Sequence, residues 1–192
     1  MKRSVFAAIL ISLTLSGCGG GGGSGTEITC ASYWFDTIGV CLPDGWKVLD
    51  RSVLDDRGAP EDVLVAFQMD TAVSGQYPTV TITKEVLSGA IDSAAYNEAS
   101  IRSVSVLPGF KELDTRKVSI DDESLLVHVF QAQPVKDEPQ RRFSQVSAVH
   151  DGIGYSVTAL TPVSVNNTIE SAVAQILQSV TFQAPQSSAA AQ

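Results

Sequence analysis

The chain has few of the residues from which reactive and metal-holding sites are built. Its 192 residues include 3 cysteines and 2 histidines. No two cysteines stand in the Cys-x-x-Cys spacing that marks a zinc site. The nucleophile-elbow pattern Gly-x-Ser-x-Gly, the zinc-protease pattern His-Glu-x-x-His and the Walker phosphate loop are all missing. These absences leave no motif-based argument for an enzyme, and the expectation is a non-catalytic protein without cofactor. Basic residues are scarce too, 13 against 21 acidic. That balance opposes nucleic acid and anionic membrane surfaces, so no nucleic-acid partner is expected. No apolar run approaches the roughly 20 residues that a membrane-spanning helix needs.

What the N-terminus does have is the layout of a secretory signal. Lys2 and Arg3 precede an apolar stretch from Val5 to Leu15, broken only by Ser12 and Thr14, and small residues then lead to Cys18. Leu15-Ser16-Gly17-Cys18 resembles the bacterial lipoprotein lipobox at all four positions. That resemblance implies residues 1–17 as a signal peptide, cleavage before Cys18 and acylation (palmitate) of Cys18, hence a lipid-anchored protein of the bacterial cell envelope. Gly19 stands where an Asp would mark inner-membrane retention, which points to the periplasmic face of the outer membrane in a two-membrane cell. Residues 18–26 then read as acylated cysteine plus glycine-rich tether, because glycines have no side chains to pack. Cleavage removes Lys2 and Arg3, leaving 11 basic against 21 acidic residues and a charge of −10. With several acyl chains on one residue, membrane attachment needs no basic patch. At the other end, residues 184–192 are Ala, Ser and Gln with one Pro, and read as a disordered tail.

Committing Cys18 to lipid leaves Cys30 and Cys41 as a pair in an oxidising compartment, and a disulfide between them is expected. Residues 31–40 read as two short strands about a turn at Asp36 to Gly39, an arrangement that brings the sulfurs together. The competing idea is a zinc site joining both thiolates to His128 or His150.

About 155 residues remain, enough for one domain, bounded here as 27–183. Extended patterns run over 46–49, 63–69, 79–86, 112–120, 124–132, 142–150 and 153–161, several with both faces apolar. Asp151-Gly152 is a strong hairpin signal. Residues 92–107 have helical spacing at Ala94, Ala95, Glu98, Ile101 and Val104. Residues 168–180 form the clearest helix, with Ile169, Ala172, Val173, Ile176, Leu177 and Val180 on one face. The expected class is α+β, an antiparallel sheet of about six strands covered by helices on both faces.

The Pro43-Asp44-Gly45-Trp46 opening, two strands, a helix, a four-strand meander ending at Gly152 to Tyr155, and a last helix closing on Ser179-Val180-Thr181-Phe182 resemble the PsbP-like α/β/α sandwich. That fold occurs in extrinsic photosystem II subunits, a Ran-binding import factor and bacterial lipoproteins of the DcrB and LpqN groups. The resemblance spans residues 42–183 and implies a binding or assembly module; the tether, the acidic single domain and the lack of catalytic motifs make an envelope protein its expected partner. Tyr77, Tyr96, Phe110 and Tyr155 are candidate contact residues. A second reading, an envelope hydrolase or small-ligand binder, rests on Asp55, Asp56 and His128. Asp50, Asp55, Asp56 and Asp62 are the candidates for a calcium cluster.

Overall fold

A computed structural model describes residues 30–184. The lipobox with Cys18, the glycine tether and nearly all of the C-terminal tail lie outside the described residues. The chain opens with a hairpin of β1 (Cys30–Phe35) and β2 (Ile38–Pro43), then β3 (Trp46–Leu49), a short helix α1 (Arg51–Asp56), β4 (Val63–Met69) and β5 (Thr79–Val86). Helix α2 (Ser93–Val104) follows, then the meander β6 (Lys111–Ile120), β7 (Glu123–Ala132), β8 (Arg141–His150) and β9 (Ile153–Pro162), and finally α3 (Asn167–Gln178). Seven strands form one antiparallel sheet in the order β3-β4-β5-β9-β8-β7-β6, while β1 and β2 pair with each other in a separate two-stranded sheet. The class is α+β as expected, but with seven strands rather than about six.

One face of the sheet carries the main core. Val65, Phe67, Val80, Ile82, Val129, Val146, Val157 and Ala159 alternate along their strands and are almost wholly buried. They meet Ile38, Val40 and Leu42 of β2 and Ile169, Val173, Ile176 and Leu177 of α3. The disulfide hairpin is thus part of the core rather than an extension of it. The antiparallel bridge between Gly39 and Thr181 ties β2 to the segment that follows α3. Cys30 and Cys41 are bonded, with Cα atoms 5.5 Å apart. The linkage leaves no free thiolate for the competing zinc site. Because Cys30 and its strand are largely exposed, removing the bond by the paired change of Cys30→Ser and Cys41→Ser is expected to cost about 2 kcal/mol in urea unfolding, the low end of the usual range. An unchanged midpoint would contradict that.

The other face is built differently. Helix α2 packs on β8, β7 and β9, yet the side chains it buries are Ser93, Tyr96 and Asn97, not the apolar set that the sequence spacing suggests. The cause lies in the sheet. Strands β7 and β8 pair from His128↔Gln145 to Ala132↔Arg141 and diverge beyond that point. Asn97 Nδ2 enters the gap and donates to the carbonyls of Leu126 and Ser147, 3.1 Å each. One turn earlier, Ser93 Oγ accepts from the Val149 N–H at 3.0 Å and donates to its carbonyl at 3.4 Å. Buried backbone groups need partners, and α2 supplies them with polar side chains. Asp92 caps this helix through the Ala95 N–H at 2.7 Å. Farther along the same face Phe130 stacks on Phe143 and packs against Phe110, with centroids 4.9 and 5.4 Å apart.

Helix α1 lies between β3 and β4, in a polar stretch with no helical spacing in the sequence. Its six residues bury only Leu54, too little periodicity to register in the sequence.

Candidate functional site

The strands that point their apolar residues into the core point hydroxyls the other way. On β5, Val80 and Ile82 are buried while Thr81 and Thr83 face α2's side of the sheet. On β9, Val157 and Ala159 are buried while Ser156 and Thr158 share the threonines' face. Beside α2 this polar strip becomes the floor of a cleft of about 450 Å³, walled by Tyr96, Ser100 and Ser103 of the helix and by Gln145 of β8, with Asp62, Lys84 and Glu85 at its mouth. The volume lies within the range of small-molecule sites. The apolar concavity under α3, beside Val127, Val173 and Leu177, holds only about 40 Å³.

The cleft is knit together by one hydrogen-bonded chain. Gln145 Nε2 donates to Ser100 Oγ at 2.8 Å, Ser147 Oγ donates to the same oxygen at 2.9 Å, and Ser147 and Ser156 hydroxyls are 2.8 Å apart. The Tyr96 hydroxyl lies at the Ser156 end of this chain, with Glu85 beside it. Burial, with the Glu85 carboxylate beside it, pushes the Tyr96 phenol up to about 12, so it stays protonated at physiological pH. Its ring passes over Gly154, where an added Cβ would lie 2.6 Å from the hydroxyl oxygen. Lys84 follows Val80 and Ile82 onto the core side of β5, where its Nζ lies 3.4 Å from Asp36 of the β1–β2 turn. Nothing in this chain pairs a nucleophile with a base: its members are hydroxyls and an amide, with one carboxylate at the end.

The residues singled out from the sequence have other places. Tyr96 and Tyr155 are buried and Phe110 packs on Phe130, so these three are not surface contacts; Tyr155 donates to or accepts from Thr37 at 2.7 Å inside the domain. Only Tyr77 among the four is exposed. Asp55 and Asp56 sit in α1 against β3 and β4, at one edge of the sheet, whereas His128 sits in β7 near the other. The hydrolase constellation therefore does not assemble. Nor does the calcium cluster: Asp50 caps α1, accepting from Ser52 and Val53, and Asp55 is paired with Arg51 at 2.7 Å. Among the described residues no group of three His, Cys, Asp or Glu side chains is placed to hold a metal. Local sequence pattern does not single out the cleft; its signal is the alternation Thr79-Val80-Thr81-Ile82-Thr83 together with Ser156 and Thr158.

His128 is buried, and burial holds its imidazole below the ordinary value of 6.5, against a smaller opposing pull from Glu112. The unfolded chain then takes up a proton before the folded one does. Stability contributed at this site is complete above about pH 6.5 and falls as pH drops toward the depressed folded value. His128→Gln is expected to flatten that fall in pH-dependent urea titrations. Identical slopes in the two proteins would rule this out.

No family model and no curated relative matches the chain in sequence. Solved structures do match in fold. LpqN of Mycobacterium tuberculosis superposes with a TM-score of 0.56 at 18% identity, covering 81% of this chain and 91% of LpqN. The fold is PsbP-like, as the resemblance in sequence implies. PA94 of Pseudomonas aeruginosa, a protein of unknown function, covers 78% and 94% at 17% identity and TM-score 0.52. A mutant form of the protein Mog1 covers 79% and 94% at 8% identity and TM-score 0.52. At such identities the likeness of this PsbP-like domain to its neighbours concerns fold, and function has to come from its own surface.

Proposed function

We propose that this chain is a lipid-anchored, non-catalytic binding or assembly module of the bacterial cell envelope, held through Cys18, with helices covering both faces of its sheet. The observation that carries the reading is the polarity of the domain. The β1–β2, β6–β7 and β8–β9 turns and the end of β5 lie at one end of the sheet and bring together Asp36, Glu85, Asp121, Asp122, Glu123 and Asp151, with Lys84 as the cation among them. Cys30, where the tether joins, pairs with Pro43 at the opposite end. Anchoring through Cys18 attaches the domain at the end opposite the acidic loops, which repel anionic lipid and suit a basic surface on an envelope protein. No helix among the described residues is long and apolar enough to cross a membrane, so the reading places attachment in the lipid. The neighbour LpqN is described as involved in cell envelope biogenesis, a setting that suits this anchor.

The anchor is tested by detergent-phase partitioning. The unmodified sequence is expected in the detergent phase and Cys18→Ser in the aqueous phase with its fold intact. Equal partitioning of the two would exclude a lipid anchor.

A further inference from the structure

We infer that the cleft between α2 and the β5–β9 strip binds a neutral, polyhydroxylated ligand, that is, a saccharide. This goes beyond the proposed module function; the cleft touches the acidic end at Lys84 and Glu85, while Thr158 and Ser103, which the test below changes, lie outside it. A side-chain hydroxyl both donates and accepts, and so does a sugar hydroxyl. The cleft offers such groups at Thr83, Ser103 and Thr158, alongside the Gln145 amide. Tyr96 keeps its proton, and the Ser147, Ser100 and Ser156 hydroxyls are fixed by bonds to one another, so little ordering is needed when a ligand enters. The mouth argues against ions. The lining has two carboxylates, Asp62 and Glu85, and one cation, Lys84, whose ammonium turns to Asp36 on the core side of the sheet, which leaves none for a phosphate or carboxylate. An apolar ligand would strip water from hydroxyls and give nothing back.

Binding rests on polar contacts alone, because the Tyr96 ring lies against Gly154 and offers no open face for stacking. A dissociation constant of about 0.1–1 mM is therefore expected. Saturation-transfer difference NMR suits this range. The full chain, extracted in a zwitterionic, sugar-free detergent, is mixed in turn with maltotriose, with triacetylchitotriose and with glucose 6-phosphate. The two neutral glycans distinguish a free hexose oligomer from an acetamido sugar of the wall. At least one is expected to show ring-proton transfer, while the phosphate ester shows none. Thr158→Val keeps shape in the strand and Ser103→Ala lies at an exposed helix position. Each is expected to weaken binding about fivefold, the loss of one hydrogen bond. Absence of transfer from both glycans, an equal signal from glucose 6-phosphate, or unchanged binding in both variants would overturn the assignment. So would variants that alter protein cross-linking without any glycan signal, since the cleft would then be a protein contact. None of these outcomes bears on the acidic end.

Discussion

Replacing Asn97 with leucine is expected to destabilise the domain by about 4 kcal/mol, more than any surface change. Leucine keeps the branched four-atom skeleton of Asn97, which is only 4% exposed, so the change removes hydrogen bonds and leaves no cavity, while its methyl groups need somewhat more room. Two carbonyls, on Leu126 and Ser147, lose their donor. Each unsatisfied buried group costs about 1–3 kcal/mol, and here the strands have already diverged, so neither carbonyl can turn to the other strand. Asn97→Asp gives a second view: a carboxylate cannot donate, and its repulsion with the two carbonyl oxygens is expected to be at least as damaging. Urea unfolding reads both. A loss under about 1 kcal/mol for leucine would mean that water replaces the amide and that the gap is not sealed by α2.

Gly154→Val is expected to cost about 3 kcal/mol, the upper end for overpacking. The residue is buried mid-sheet, paired with Glu85 on one side and Val149 on the other. Its backbone is ordinary; what requires glycine is the Tyr96 ring, whose nearest atoms lie well inside contact distance of any Cβ. Pairing with Tyr96→Ala opens that space. The double variant is expected to recover part of the loss, a coupling that a double-mutant cycle measures directly. Additive losses would place the strain elsewhere. The valine must also displace the Tyr96 hydroxyl from Ser156 and Glu85, so the tyrosine's titration above pH 10 is expected to shift back toward its ordinary value.

These two positions show where the sequence is legible and where it is not. Strands with period-two alternation, the Asp151-Gly152 hairpin, helix α3 and the close approach of Cys30 to Cys41 all follow from local pattern, because burial on one face leaves its mark residue by residue. The orientation of α2 does not. Periodicity weights Ile101 and Val104, while the sheet demands donors at Ser93 and Asn97, and that demand arises from a divergence of β7 from β8 that no local window contains. Polar residues in a helix read as solvent-facing until the partner carbonyls are located. The site followed the same rule. Thr81, Thr83, Ser156 and Thr158 mark a half-exposed face in sequence, but only the tertiary pairing of β5 with β9, and the placement of α2 beside them, turns that face into a cleft. Tyr96 and Tyr155, taken from sequence as contact residues, lie inside because glycine at 154 and the Thr37 hydroxyl receive them. Both are tertiary facts.

The proposal that an envelope-tethered module meets a partner through its acidic end is tested most directly by site-specific photo-crosslinking in intact cells. A photoreactive residue placed at position 122, in the exposed β6–β7 turn, is compared with one at position 77, exposed near the Cys30 end. The account predicts a discrete protein adduct from position 122, absent from position 77 and lost when Asp151 and Glu123 are both changed to lysine. No adduct at position 122, or the same adduct from both positions, would contradict it.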